Sequence, residues 1–300
     1  MPFKGFVCPV PECSKTLDRQ QALEHLPFAH GGVIPAAVVE AIWRSEEDPR
    51  RTRDHFSPSI ATGCMREIML LRTEDYFINP YRMWKMAEGT LWHKVMATHG
   101  APGWVTEEGL PKGESLFTRK DHDVLEMKWE EMWLSGSLDA RYADWSIIDD
   151  YKTQACPRTN YKMEYYPPKR EAKDSEAVQL NLYGRMAMAL HGLERMPKLR
   201  IWRYVLGIQE ASYSWTAIPV DEIPVEKLIE IVRPNYGLLK GAWALWEQAV
   251  GKVDKDEVIA RMPLQGRPMF NGKKCSQYCA MKGACDRLVG QVDDSMSGDV

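Results

Sequence analysis

Trp145-Ser146-Ile147-Ile148-Asp149-Asp150-Tyr151-Lys152 is an apolar run that closes on charge, and it reads as a β-strand. Side chains alternate across a strand, so Asp150 and Lys152 share one face and Asp149 and Tyr151 the other. The preceding strand-like run, Trp133 to Tyr142, carries Asp139 in Gly136-Ser137-Leu138-Asp139. A tight turn around Asp144 folds that run back and sets Asp139 beside Asp150. Two carboxylates and one ammonium then converge. Such a set can hold a hard divalent cation and put a positive charge beside a phosphate.

The composition around this run is that of a globular protein. The chain has 300 residues, 44% hydrophobic and 27% charged, with a formal net charge of -3. That charge argues neither for nor against nucleic acid, and any basic surface has to be local. No apolar run approaches the length of a membrane span, and Met1-Pro2-Phe3-Lys4 lacks a signal-peptide core. The expectation is a reduced, cytoplasmic protein with no membrane partner. In that compartment, clustered cysteines point to metal rather than to disulfides. The seven fall as Cys8 and Cys13, Cys64, Cys156, and then Cys275, Cys279 and Cys285.

The chain divides by pattern into four parts. Residues 1–33 are rich in Cys, His, Pro and Gly and look like a metal-stapled module. Residues 34–56 hold a short helix, Pro35 to Arg44, and a charged linker. Residues 57–288 form the main domain, and 289–300 a polar tail. Within the main domain, Ser59 caps a helix through about Leu71, and a second helix runs from about Tyr81 to His99. Strands are predicted at 103–109, 114–119, 124–129, 133–143 and 145–153, then a loop at 154–172. The spacing predicts a helix from Ser175 to Leu190 and a hairpin of 198–206 with 211–219 across Gly207. A helix from Pro224 to about Val250 is interrupted by Pro234 and Gly237. The last fifty residues read as loop around the three closing cysteines. Helices before, between and after antiparallel strands imply an α/β or α+β core.

Other residues extend the chemistry of the acidic strand. Gly89-Thr90-Leu91-Trp92-His93 places a histidine on the helix before the sheet, and a neutral imidazole can join two carboxylates around manganese or magnesium. Gln179 and Tyr183, four apart, share a helix face from which they can reach Lys152 or a DNA phosphate.

In order and spacing, Gly89…His93, Gly136…Asp139, Asp150-Tyr151-Lys152-Thr153 and Gln179…Tyr183 resemble the PD-(D/E)XK nucleases, and within them the RecB-like branch. Ser57-Pro58-Ser59 followed by Cys64-Met65-Arg66 is similar to the opening segment of the iron–sulfur members, and Cys275, Cys279 and Cys285 to their closing cysteines. CRISPR adaptation nucleases, AddB-type nuclease domains and phage exonucleases carry this pattern. The resemblance covers about residues 57–288. It implies an α/β restriction-endonuclease-like core, a central mixed sheet flanked by helices. It also implies that His93, Asp139, Asp150 and the carbonyl of Tyr151 bind Mg2+ or Mn2+. Lys152 would orient the attacking water and stabilise charge on the phosphate, with Gln179 and Tyr183 in support.

Four thiolates, Cys64, Cys275, Cys279 and Cys285, can hold a 4Fe–4S cluster or a tetrahedral zinc, and the resemblance favours the cluster. The N-terminal module resembles a two-Cys two-His zinc finger. Its ligands are Cys8, Cys13, His25 and His30, its small core is Leu17 and Leu23, and Pro27 breaks the helix between the histidines. Its role is open between guiding DNA and contacting protein. The 154–172 loop mixes Arg158, Lys162, Lys169 and Arg170 with Tyr161, Tyr165 and Tyr166. That suits contacts to a DNA backbone and equally a solvated loop.

The function implied is a metal-dependent deoxyribonuclease, an exonuclease of bacterial or phage recombination, repair or replication. The alternatives are a CRISPR spacer-processing nuclease and a non-catalytic DNA-binding iron–sulfur module. DNA is the partner implied, and beyond it a second copy of the chain or a recombination or replication protein.

Overall fold

A computed structural model describes residues 3–46, 56–78, 104–106, 124–155, 171–206, 215–264, 279 and 281–288. It is a mixed α/β structure with several sheets. Two compact units are each assembled from separate stretches of chain. One holds Met1–His55, Gly63–Ala87 and Pro234–Val300, the other Phe56–Thr62 and Glu88–Arg233.

The first unit begins with β1 (Phe3–Val7), β2 (Thr16–Leu17) and α1 (Arg19–His25). α2 (Ala36–Glu46), α3 (Met65–Thr73) and β3 (Tyr76–Ile78) follow. β1 lies between β2 and β3, antiparallel to the first and parallel to the second. Gly5 permits the tight β1–β2 approach: its φ is 147°, and a Cβ there would lie 1.9 Å from the Leu17 carbonyl oxygen. Asp18 caps α1 through the Gln21 amide at 2.8 Å, and the Gln21 side chain returns a bond to the Asp18 amide. The core joins Phe3, Phe6, Trp43 and Tyr76, with Phe3 and Trp43 ring centroids 4.9 Å apart. Leu17 is buried as expected. Leu23 is only half-buried, and Ala22 and Leu26 fill the interior beside it. α3 starts at Met65 rather than near Ser59. Pro58 instead opens a 3-10 turn, Pro58–Ile60, and the Ser57 and Ser59 hydroxyls bond each other at 2.8 Å.

The second unit contains β4 (Trp104–Thr106), β5 (Val124–Trp129), β6 (Met132–Ser137), β7 (Ala140–Tyr142) and β8 (Ile147–Ala155). α4 (Asp174–His191), β9 (Lys198–Leu206) and β10 (Trp215–Val220) complete it. One five-stranded sheet runs β10-β9-β8-β7-β4, and β5 pairs with β6 separately. β8 and β9 are parallel and the other neighbours in the five-stranded sheet antiparallel. The strand expected at 133–143 is therefore two. β6 and β7 belong to different sheets, and the chain crosses between them at Leu138-Asp139. β8 also runs further than expected, through Gln154 and Ala155.

α5 (Val225–Gln248) carries Pro234 within it, so the expected interruption there is absent. α6 (Lys252–Ala260) is a helix where loop was expected. Lys252 is tied to Glu74 at 3.0 Å and, one turn on, to Asp256 at 3.2 Å. The expected helix at 81–99 and strand at 114–119 lie outside the described residues, as do 156–170 of the basic loop.

Candidate active site and metal-binding sites

The turn after β7 makes the acidic site. The Trp145 amide donates to the Tyr142 carbonyl at 2.9 Å, and Asp144 accepts from the Ser146 amide at 2.8 Å. Trp145 takes a left-handed φ of 62°. The reversal registers Ala140 against Asp149 and Arg141 against Ile148. Asp139 thus falls opposite Asp150, and its Oδ2 accepts the Tyr151 amide at 2.7 Å. The Asp139 carboxylate accordingly lies against the β8 backbone between Asp150 and Lys152.

On the same face, Lys152 Nζ lies 2.7 Å from Asp150 Oδ2 and 3.0 Å from Oδ1. Gln179 on α4 reaches both residues. Its Oε1 is 3.4 Å from Lys152 Nζ, and its Nε2 donates to Asp150 Oδ1 at 3.3 Å. Burial pulls the Lys152 ammonium down, but the carboxylates of Asp150, Asp139 and Glu176 outweigh it and raise its pKa above the ordinary lysine value. Lys152 is therefore a charge-bearing group at neutral pH. One turn beyond Gln179, the buried Tyr183 ring packs on Gly136. A Cβ on Gly136 would come within 2.9 Å of the Tyr183 ring and hydroxyl and 3.0 Å of Pro58. The glycine of Gly136…Asp139 is thus the floor on which Tyr183 rests.

Sequence reasoning missed the pair that fixes α4 over this site. Arg203 is in register with Lys152 across the parallel β8–β9 ladder and is 1% exposed. It donates to Glu176, in the first turn of α4, and to the Glu171 carbonyl at 3.1 Å. Glu176 and Gln179 are three apart, so the bond that holds Glu176 also aims Gln179. The signal was present in phase: Leu199, Ile201 and Arg203 alternate on one face, so the arginine stands where an apolar residue is expected.

Asp149, on the opposite face, has a different environment. Arg200 grips it with two bonds of 2.8 Å, Trp202 Nε1 adds a third at 2.9 Å, and Asp149 is 2% exposed. The Asp149 bond raises the Arg200 pKa. The Tyr151 phenol on this face is pushed up to about 12, first by burial and then by the charges of Asp149 and Asp139.

In the other unit, Cys8, Cys13, His25 and His30 offer ligand atoms that all lie within 4.8 Å of one another, and this group can hold a metal ion. Cys13 Sγ and His25 Nε2 are 3.5 Å apart. The Cys13 and Ser14 amides both donate to the Val10 carbonyl at 3.0 Å and form the turn between the cysteines. α1 ends at His25, and His30 swings back through a left-handed φ of 56°. Burial, with Cys13 close by, raises the Cys8 thiol pKa.

Cys64 is buried at the N-cap of α3, and Cys279 and Cys285 are half-buried. Cys285 Sγ lies 3.7 Å from the buried Arg66 guanidinium. His93, Cys275, Arg158, Tyr161, Lys162, Lys169 and Arg170 lie outside the described residues. No helix among the described residues is long and apolar enough to cross a membrane.

No family model matches this chain, and no curated protein matches it. A solved structure, "Crystal structure of SSO0001", is similar over 83% of this chain and 94% of its own, with 15% identity and a TM-score of 0.44.

Proposed function

We propose that the chain is a metal-dependent deoxyribonuclease of the PD-(D/E)XK type, acting as an exonuclease. One observation carries this reading: Asp139, Asp150, Lys152 and Gln179 meet on one sheet face, under the helix that bears Tyr183. The donors are hard oxygens, which suit Mg2+ or Mn2+. Asp139, Asp150 and the Tyr151 carbonyl would hold the ion, with His93 added by the resemblance to RecB-like nucleases. The ion, when bound, supplies Lewis-acid polarisation of the phosphate.

The chain's own groups supply the rest. The Tyr151 amide orients the Asp139 carboxylate. Lys152 presents a positive charge, which would stabilise negative charge growing on the phosphate and orient the attacking water. Gln179 contacts both Lys152 and Asp150 and so links the ammonium to the carboxylate. In the N-terminal unit we propose zinc at Cys8, Cys13, His25 and His30, since two thiolates and two imidazoles form a tetrahedral zinc set. A scaffold role for this module is favoured by β1, which pairs with β3 outside the module, and by Arg19, whose guanidinium is engaged by Glu40.

The test is digestion of end-labelled linear DNA beside closed circular DNA, with manganese or magnesium. Loss of the linear form alone, with activity about 10²–10³-fold lower in Lys152→Ala, is the expected result. Cutting of both forms makes the enzyme an endonuclease. Absence of metal-dependent cutting of single- or double-stranded DNA, by folded protein that retains its metals, replaces the enzyme with a DNA-binding module.

A further inference from the structure

Arg66 is a buried charge with an unusual set of partners. It is 4% exposed, and its Nη2 donates to the carbonyls of Ala260 and Met262 at the end of α6. Its Nη1 faces Cys285 Sγ at 3.7 Å, and its Nε is buried without a hydrogen-bond partner. Among the described residues no carboxylate is paired with it. Its place in α3 makes this costlier: Arg66 follows Cys64, the N-cap, by two residues, so it stands at the positive end of the helix dipole. A buried cation without a counter-charge is strongly destabilising, like a broken buried ion pair. The carbonyls at the end of α6 offset part of that cost, since they form the negative pole of their helix. Among the described residues the remaining ionisable partner is Cys285.

We infer that Arg66 is the counter-ion of an anionic metal–thiolate centre that includes Cys285. This rests on reading the clustered cysteines as metal ligands; it does not require the chain to be a nuclease. A thiolate held by iron or zinc stays negative at neutral pH and supplies the charge that Arg66 lacks. The α3 N-terminus directs the same polarity at Cys64. Arg66 is thus a positioning residue. It joins the end of α6 to Cys285 and favours the loaded centre over the empty one.

The experiment measures iron, sulfide, zinc and absorbance near ~400 nm in anaerobically purified full-length protein. Wild type, Arg66→Met, Arg66→Lys and Cys285→Ala are compared, together with the Arg66→Met/Cys285→Ala double variant. Metal beyond that of the N-terminal group is expected in wild type, as iron with the absorbance band or as zinc without it. Arg66→Met should retain that metal roughly tenfold less well, as for outer-shell partners elsewhere, and Arg66→Lys should recover part of the loss. Thermal midpoints complete a cycle that cancels the bonds to Ala260 and Met262. Arg66→Met should lower the midpoint when Cys285 is present and leave it unchanged or raise it in the Cys285→Ala background, where the charge is unpaired. Equal effects in both backgrounds overturn the inference, as does wild-type protein with no metal beyond the N-terminal group. Failure of DNA cleavage leaves all these readouts intact, so the two readings fail separately.

Discussion

Asp149 and Asp150 are neighbours on one strand, both buried, yet they are held in opposite ways. Asp149 receives two bonds from a planar guanidinium and one from an indole, all between 2.8 and 2.9 Å. Arg200 and Trp202 come from the adjoining strand, so this arrangement locks β8 to β9. Asp150 meets a primary ammonium and a side-chain amide, with bonds up to 3.3 Å. Its partners sit on flexible stems. An ammonium on a four-carbon chain can move aside for a cation or a phosphate, whereas a bidentate arginine holds its carboxylate in one geometry. The period-two alternation of a strand thus gives two adjacent aspartates one carboxylate gripped by an arginine and one held by a lysine and a glutamine.

The sharpest way to break this comparison is to neutralise each aspartate in turn. Asp150→Asn should lower metal-dependent cleavage by about 10²–10³-fold while leaving the thermal midpoint within a few degrees of wild type. Asp149→Asn should do the reverse. It leaves Arg200 half-satisfied and should cost about 2–4 kcal/mol, below the figure for a fully buried pair because the Arg200 side chain is 30% exposed. Cleavage assays and urea titration of both variants decide it, and equal loss of activity at equal stability would erase the distinction.

Arg203 tests whether the chemical face has a staple of its own. The Arg203–Glu176 pair is as buried as Asp149, at 2% and 8% side-chain exposure. Arg203→Met should cost about 3–5 kcal/mol by stranding the Glu176 carboxylate. Adding Glu176→Leu should recover much of the stability, but not the fixed pose of Gln179. Denaturant midpoints of the single and double variants measure the first effect, and cleavage by the stable double variant measures the second. Gly136→Ala comes next in size. Its methyl meets the Tyr183 ring at 2.9 Å and Pro58 at 3.0 Å, and overpacking of this kind costs about 1–3 kcal/mol. A crystal structure or near-ultraviolet spectrum of that variant should report a displaced tyrosine.

Much of this was legible because it is local. The alternation in 145–152 gives β8 and its two faces, and the turn residues give the return of Asp139. The 3.6-residue period gives α4 with Gln179 and Tyr183 together. What escaped depends on partners far apart in sequence. Arg203 looks like an ordinary strand arginine until Glu176, on another element, is placed against it. Arg66 looks like a helix-surface residue until Ala260, Met262 and Cys285 arrive from 194 to 219 residues away. The split of 133–143 into β6 and β7 was hidden for a related reason. Both halves have strand propensity, and only the partners of each, β5 for one and β8 for the other, show that the chain changes sheets.

The smallest expected effect concerns Tyr151, whose amide serves the Asp139 face while its phenol lies on the Asp149 face. Burial and the charges of Asp149 and Asp139 push the folded phenol up to about 12, against the ordinary 10.0 of a tyrosine in the unfolded chain. Between those values the unfolded state has given up a proton that the folded state keeps, so the unfolded state binds fewer protons and stability falls as pH rises. The contribution from the neutral phenol is complete below pH 10 and is lost by about pH 12. Tyr151→Phe removes the titrating group, so its stability should decline less steeply than that of wild type across this window, and one tyrosinate absorbance step near pH 12 should disappear. The carboxylates of Asp149 and Asp139 both contribute to the shift. Asp149→Asn should therefore bring the Tyr151 step down towards its ordinary position. A step that stays near pH 12 in that variant would assign the shift to burial alone and remove the electrostatic link between the two faces.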